Sequence, residues 1–134
     1  MPHKINHVAI VVEDLQAALG FWQGALGLPL EHTADRPDEA VRIAFLPLGE
    51  GEIELLQPID PDSGVAKYIA KRGPGMHHLC IEVDDIDATM ARLREHAVEL
   101  INDAPKTNPD GTRYAFVHPK SAGGVLVELY ELPG

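Results

Sequence analysis

Two stretches of the chain share one pattern of apolar and polar positions. His7–Leu15 begins with a histidine, continues as an alternating run rich in β-branched residues, and reaches an acidic residue before helix-forming residues begin. His78–Ile86 repeats this pattern about 70 residues later. Each stretch predicts a strand followed by a helix. The repeat therefore indicates a fold built from two similar modules.

A glutamate also recurs near the end of each predicted module, and both glutamates lie between apolar strand residues. Because successive side chains of a strand point to opposite faces, each repeated histidine or glutamate should point away from the more apolar face of its strand. If helices cover those apolar faces, the four side chains lie on uncovered concave faces and can converge. The four residues are His7, Glu54, His78 and Glu128.

The other patterns complete each module as one strand, one helix and three further strands. The predicted helices run from Leu15 to about Gln23, capped by Asp14, and from Ile86 to about His96, capped by Asp85. The further strands are expected at 30–33, 41–48 and 52–57 in the first module, and at 98–101, 113–117 and 125–130 in the second. A Pro- and Asp-rich linker with a short helix over 65–71 connects the modules.

Composition and charge narrow the function classes. The 134 residues, 45% hydrophobic and 24% charged, fit one globular domain, with module one at about 1–58, a linker at 59–74 and module two at about 75–134. A net charge of −10 argues against nucleic acid as a partner. No apolar run is long enough for a bilayer and no signal peptide is evident, so we expect a cytoplasmic protein without a membrane partner. Cys80 is the single cysteine and is expected to be a buried structural thiol.

Five passages carry a family resemblance: Ile5–Ala9, Ala44–Leu48 followed by Ile53–Leu56, Ser63–Tyr68, Gly75–His78, and His118–Ser121 followed by Gly124–Leu129. With them the chain resembles the vicinal oxygen chelate (glyoxalase/bleomycin resistance/dioxygenase) superfamily, and within it is similar to the methylmalonyl-CoA epimerases over nearly its whole length. The resemblance implies an α+β fold in which two βαβββ modules form a curved mixed sheet around a metal cavity. It also implies an acyl-CoA substrate and a homodimer.

The resemblance further implies one divalent metal ion per chain, bound by His7, Glu54, His78 and Glu128. Two imidazoles and two carboxylates neutralise such an ion and leave two adjacent positions of an octahedron for substrate oxygens. Co²⁺, Mn²⁺, Ni²⁺, Fe²⁺ and Zn²⁺ can all accept this set. The expected reaction is epimerisation of (2R)- and (2S)-methylmalonyl-CoA, in which the α-proton is removed and the resulting enolate is stabilised by the metal.

Epimerisation requires proton transfer on both faces of the enolate. Glu128 is the expected base on one face, as the corresponding residue is thought to be in the family. Some relatives carry a second glutamate on the strand where this chain has Val41–Ile43, so the second base is expected to be Glu39 or Asp38, or an ordered water.

Two further residues are candidates for substrate binding. His118 and Lys120 lie in a Gly-rich turn, where they are expected to bind the substrate carboxylate or a CoA phosphate. An ordinary solvated turn explains them equally well. His77 aligns with Asn6 and not with His7, so it is expected to be structural.

Two other functions remain open from the sequence. A lactoylglutathione lyase of the glyoxalase I type uses a similar His/Glu set, but cationic groups matched to glutathione are not evident in the sequence. A non-catalytic small-molecule-binding module should have lost the four candidate ligands, which this chain retains. An extradiol dioxygenase is disfavoured because two histidines and one carboxylate would suffice for its iron.

Overall fold

A computed structural model describes residues 3–134 of the chain. The chain divides into two compact units: Val8–His77, here the first unit, and His78–Gly134 with the N-terminal residues as far as His7, here the second unit. Eight strands and three α-helices occur within residues 3–134. Their order follows two βαβββ repeats, so the predicted α+β class is confirmed.

The first unit contains the first repeat and the connecting helix. Its strands follow the order β2-β3-β4-β1, and the β2/β3 and β3/β4 pairs are antiparallel. The elements are β1 (Lys4–Val11, from Val8 onward in this unit), α1 (Leu15–Leu19), β2 (His32–Arg36), β3 (Val41–Leu48), β4 (Gly51–Pro58) and α2 (Gly64–Arg72). The predicted helix from Leu15 to about Gln23 is α-helical only over α1 and continues as a π-helical turn at Gly20–Ala25.

The second unit contains the second repeat. Its strand order is β5-β8-β7-β6, with β5 and β8 parallel and the other two pairs antiparallel, which makes its pairing mixed. The elements are β5 (Gly75–Glu82, from His78 onward in this unit), α3 (Ile86–Glu95), β6 (Lys106–Thr107), β7 (Arg113–Val117), a 3₁₀ turn (Pro119–Ser121) and β8 (Val127–Glu131).

The strand predicted at 98–101 is wrong. Only Leu100 bridges to Val117, and the second strand of this repeat lies later, at β6. The amide of Phe116 donates to the side-chain oxygen of Asn102 at 2.8 Å, so a side chain supplies an acceptor that a paired strand would supply from its backbone. The segment is held against β7 without forming a regular ladder.

Both repeats begin their helix in the same way. Asp14 accepts a hydrogen bond from the Ala17 amide at 3.1 Å, and Asp85 accepts one from the Ala88 amide at 3.0 Å, which confirms both predicted caps. The first helical amide is also bound in each repeat by a side chain from the last strand. Leu15 donates to Gln57 at 2.6 Å, and Ile86 donates to Glu131 at 2.8 Å.

Replacing Asp85 with alanine should lower the free energy of unfolding by about 1 kcal/mol, because the side-chain acceptor for the Ala88 amide is lost. Urea unfolding followed by circular dichroism would measure the change. Asp84→Ala is the matched control, since Asp84 is exposed and precedes the cap. Equal destabilisation by both variants would contradict the assignment of Asp85 as the cap.

The helices cover the apolar faces as expected. Leu15 and Leu19 of α1 pack with the buried strand residues Val12, Ala44, Leu46, Ile53 and Leu55. In the second unit, Ile86 and Met90 of α3 pack with Val83, Ala115, Val117 and Leu129. None of the helices in the described part of the chain is long and apolar enough to cross a membrane.

Part of the opposite face of the first unit is covered as well, which corrects the prediction of an uncovered face. It is itself apolar, and residues of α2 pack on it because that surface would otherwise lie in water. The cluster comprises Ala9, Val11, Val41, Ile43, Phe45, Leu56 and Val65, with Tyr68 and Ile69 packed against it.

Candidate metal centre

Three of the four predicted ligands lie in the second unit. His78 is on β5 and Glu128 is on the parallel strand β8, where Glu128 pairs in register with Cys80. Because side chains alternate along a strand, Cys80 shares the face of His78, while Ile81 and Val83 face α3. His7 belongs to the N-terminal residues of the same unit. His7, His78 and Glu128 are only 6%, 9% and 8% exposed.

The three side chains converge on one point. Nε2 of His7 lies 3.1 Å from Nε2 of His78, and Oε1 of Glu128 lies 3.4 Å from the first nitrogen and 3.2 Å from the second. Two ligand atoms at about 2.1 Å from one ion are about 3.0 Å apart at a right angle and about 3.4 Å apart at the tetrahedral angle. The donor types and their separations therefore fit a divalent cation.

Cys80 is a further donor near this cluster. Its Sγ, a nitrogen of His7 and a carboxylate oxygen of Glu128 all lie within 4.8 Å of one another. The thiol is completely buried, as predicted. Sequence reasoning did not connect Cys80 with the site, although its position two residues after His78 was a signal that both side chains share one face.

Aromatic rings surround the three converging side chains. Phe116 contacts His78 edge-on with ring centroids 5.8 Å apart, and Tyr130 contacts His7 with centroids 6.2 Å apart. Partial burial raises the pKa of Tyr130, so its hydroxyl keeps its proton at neutral pH. Neither ring was predicted as part of the site, although Tyr130 lies two residues after Glu128 and therefore on the same face.

The two imidazoles determine the protonation of Glu128. Burial raises the pKa of this carboxyl group, but the neighbouring imidazoles of His7 and His78 outweigh burial and lower the pKa to about 2. The carboxylate is therefore ionised at neutral pH, as a metal ligand must be.

In the metal-free protein, Glu128 should contribute stability that depends on pH. A depressed folded-state pKa stabilises the fold above the ordinary value of 4.5, and this contribution disappears as the pH falls towards about 2. Urea unfolding between these pH values, with a chelator present, should therefore show a flatter pH dependence for Glu128→Gln than for the unchanged protein. Glu95→Gln, on the exposed end of α3, should leave the slope as it is.

The fourth predicted ligand lies in the first unit. Glu54 is half-buried on β4, pairs in register with Phe45 and shares a face with Leu56. Its assignment as a ligand stays a prediction. Glu39, the predicted second base, and Asp38 are exposed in the turn between β2 and β3. Ile43 is buried in the apolar cluster beneath α2, and no residue of Val41–Ile43 carries a carboxylate.

The predicted substrate-binding residues share one acidic partner. Nζ of Lys120 lies 2.9 Å from Oε1 of Glu99, and Nε2 of His118 lies 3.8 Å from Oε2 of the same carboxylate. The hydrogen bond from Lys120 lowers the pKa of Glu99. Sequence reasoning had not identified Glu99, which offsets the positive charge of Lys120. The role of His118 and Lys120 in binding substrate stays a prediction.

His77 differs from His78 in the direction of its side chain. It precedes His78 on β5, so its side chain points to the other face of the strand. Its ring contacts Tyr68 of α2 edge-on, with centroids 4.7 Å apart, inside the first unit. This packing agrees with the structural role expected for His77.

Comparison with known proteins places the chain in a family. Residues 6–116 match the Glyoxalase/Bleomycin resistance protein/Dioxygenase superfamily. The human mitochondrial methylmalonyl-CoA epimerase is 39% identical over 127 residues, which are 94% of this chain and 72% of the relative. The ethylmalonyl-CoA/methylmalonyl-CoA epimerase of Cereibacter sphaeroides is 38% identical and covers 96% of this chain and 98% of its own length.

A solved structure shows the same fold. A variant of the Streptomyces coelicolor methylmalonyl-CoA epimerase, in complex with 2-nitronate-propionyl-CoA, superposes with a TM-score of 0.85 at 34% identity, covering 98% of this chain and 95% of that one. Sequence and fold thus agree over nearly the whole length. The chain therefore belongs to the Glyoxalase/Bleomycin resistance protein/Dioxygenase superfamily, and within it to the family of the methylmalonyl-CoA epimerases.

Proposed function

We propose that the chain is an epimerase that interconverts (2R)- and (2S)-methylmalonyl-CoA and requires one divalent metal ion. The observation that carries the metal requirement is the convergence of His7, His78 and Glu128, whose donor atoms lie 3.1–3.4 Å apart in a buried site. Glu54 is the proposed fourth ligand. A bound divalent ion supplies positive charge that stabilises the oxyanion of an enolate.

The side chains of the protein supply the ligand atoms and the negative charge that a divalent ion requires at this site. Each imidazole contributes a neutral nitrogen ligand, and the ionised Glu128 offsets part of the cation charge. Phe116 and Tyr130 border the cluster and help to keep water away, which strengthens electrostatic interactions inside it.

The two proposed bases, one for each face of the enolate, rest on different support. Glu128 is the proposed base on one face, in addition to its proposed role as a metal ligand. Glu39 is the proposed base on the other face, because Val41–Ile43 contains no carboxylate and Glu39 lies just before this strand. His118 and Lys120 are proposed to bind an anionic part of the acyl-CoA. A homodimer remains an expectation from the family, and a cytoplasmic location remains an expectation from the sequence.

Isotope exchange tests the proposed reaction. Protein loaded with Co²⁺ or Zn²⁺ should incorporate deuterium at the α-carbon of (2S)- or (2R)-methylmalonyl-CoA in D₂O, while optical purity is lost. Protein treated with a chelator should do neither until metal is restored. Failure of exchange, together with formation of lactoylglutathione from the methylglyoxal hemithioacetal of glutathione, would support the lyase alternative.

Cobalt spectroscopy tests which donors bind the metal. Because Nε2 of His78 lies 3.1 Å from His7 and 3.2 Å from Glu128, we expect His78, and not Cys80, to complete the cluster. Co²⁺-loaded protein should therefore lack a sulfur-to-cobalt charge-transfer band, and Cys80→Ser should leave its visible spectrum unchanged. A charge-transfer band that disappears in Cys80→Ser would instead assign Cys80 as a ligand.

A further inference from the structure

A chain of hydrogen bonds leads away from the metal centre through His7. Nδ1 of His7 lies 2.8 Å from Oδ1 of Asn6, and Nδ2 of Asn6 donates to Oε1 of Glu82 at 3.1 Å. The other oxygen of Glu82 lies 3.5 Å from Nζ of Lys4. These residues all belong to the second unit. No role for Asn6 or Glu82 follows from the proposed reaction.

The chemistry of each group determines which atom donates and which accepts in this series of hydrogen bonds. An ionised carboxylate can only accept hydrogen bonds, so Glu82 must face the NH₂ group of Asn6. The amide oxygen of Asn6 then faces His7 and accepts a hydrogen bond, which requires the proton of the neutral imidazole to be on Nδ1. Nε2 of His7 is left with its lone pair, and this atom points at His78 and Glu128.

We propose that Asn6 and Glu82 are positioning residues that select the metal-binding tautomer of His7. Glu82 orients the amide, the amide orients the imidazole proton, and the lone pair of Nε2 is thereby directed into the metal centre. Hydrogen bonds of this kind to the second nitrogen of a ligand histidine fix its tautomer and ring orientation. This inference rests on the proposed metal centre, because the tautomer affects function only if His7 binds a metal ion. The tautomer itself can be observed without metal.

The surroundings of Glu82 support this arrangement. Its side chain is only 17% exposed, so its hydrogen bond to Asn6 is partly shielded from water. Lys4 balances the charge of the carboxylate from the side facing solvent, where its own side chain is 50% exposed. Asn6 is half-buried and borders both partners, which leaves its amide little freedom to turn.

Nuclear magnetic resonance of the metal-free protein provides the first test. At a pH above the usual imidazole value of about 6.5, long-range ¹H–¹⁵N correlations should show the proton of His7 on Nδ1. In Asn6→Ala the proton should shift from Nδ1 towards Nε2, because Nε2 faces the ionised carboxylate of Glu128 at 3.4 Å. An unchanged protein that carries the proton of His7 on Nε2 would overturn the proposal.

Metal affinity and a compensating double variant provide the second test. Asn6→Ala should weaken Zn²⁺ binding, measured by chelator competition, by roughly 10- to 100-fold. Glu82→Gln should weaken it less, because the introduced amide can accept or donate, and Asn6→Asp should weaken it because two carboxylates then face each other. Combining Asn6→Asp with Glu82→Gln should restore affinity, since the introduced carboxylate can accept from both the imidazole and the new amide.

A control variant and two further outcomes distinguish failure of this inference from failure of the proposed metal centre. Glu95→Gln, at the exposed end of α3, should leave both Zn²⁺ affinity and the His7 tautomer unchanged. A double variant that binds Zn²⁺ no better than either single variant would contradict the inference. If the unchanged protein shows the Nδ1–H tautomer but binds no divalent ion, the metal centre fails while the tautomer selection stands.

Discussion

Alanine in place of His78 should abolish tight metal binding and lower the epimerisation rate by roughly 10³-fold or more, because stabilisation of enolate charge is the largest contribution expected in this reaction. His78 lies 3.1 Å from His7 and 3.2 Å from Glu128, so its removal takes away one of the three converging ligand atoms. Zn²⁺ affinity from chelator competition and the rate of epimerisation should fall together.

The neighbouring histidine gives a close control. His77→Ala removes the same kind of ring from the adjacent position of β5, where it packs against Tyr68. This variant should lose some stability but keep Zn²⁺ affinity and epimerase activity near their original values. Equal loss of metal affinity in both variants would mean that damage to β5, and not removal of a ligand, explains the effect of His78→Ala.

Glutamine in place of Glu39 should separate the two faces of the reaction. If Glu39 is the base on one face, Glu39→Gln should slow α-proton exchange from one enantiomer of methylmalonyl-CoA by roughly 10²- to 10⁴-fold. Exchange from the other enantiomer should continue, because its proton is removed on the opposite face. Deuterium incorporation from D₂O, followed separately for each enantiomer, measures this difference.

Asp38→Asn is the matched control for this experiment, because Asp38 precedes Glu39 in the same exposed turn. It should leave both exchange rates unchanged. An enantiomer-specific loss in Asp38→Asn, with none in Glu39→Gln, would assign the second base to Asp38. Wild-type exchange of both enantiomers in both variants would exclude the two carboxylates and leave an ordered water as the remaining candidate.

The sequence predicted the direction of the side chains well because strand periodicity is a local property. Alternation of apolar residues placed His78 and Glu128 away from the face covered by α3, and the structure confirms that arrangement. The Asp14 and Asp85 caps were also predictable, since each acceptor lies three residues from its donor. Such features depend only on neighbours along the chain.

Features that depend on register could not be predicted in the same way. Asn6 and Glu82 lie 76 positions apart, and only the folded structure shows that their side chains are bonded. Phe116 was missed for the same reason, because its approach to the cluster depends on the pairing of β7 and β8. The strand expected at 98–101 is reduced to a bridge at Leu100, next to which Phe116 donates to the side chain of Asn102 and not to a backbone oxygen.

The first amide of each helix is bound by a residue of different charge, Gln57 at α1 and Glu131 at α3. Glu131 also lies 3.3 Å from Arg113, which pairs with Asp87 at 2.9 Å in the first turn of α3. Added salt weakens interactions between such partly exposed charges and has little effect on a neutral amide. Rising ionic strength should therefore accelerate hydrogen exchange of the Ile86 amide while having little effect on the Leu15 amide.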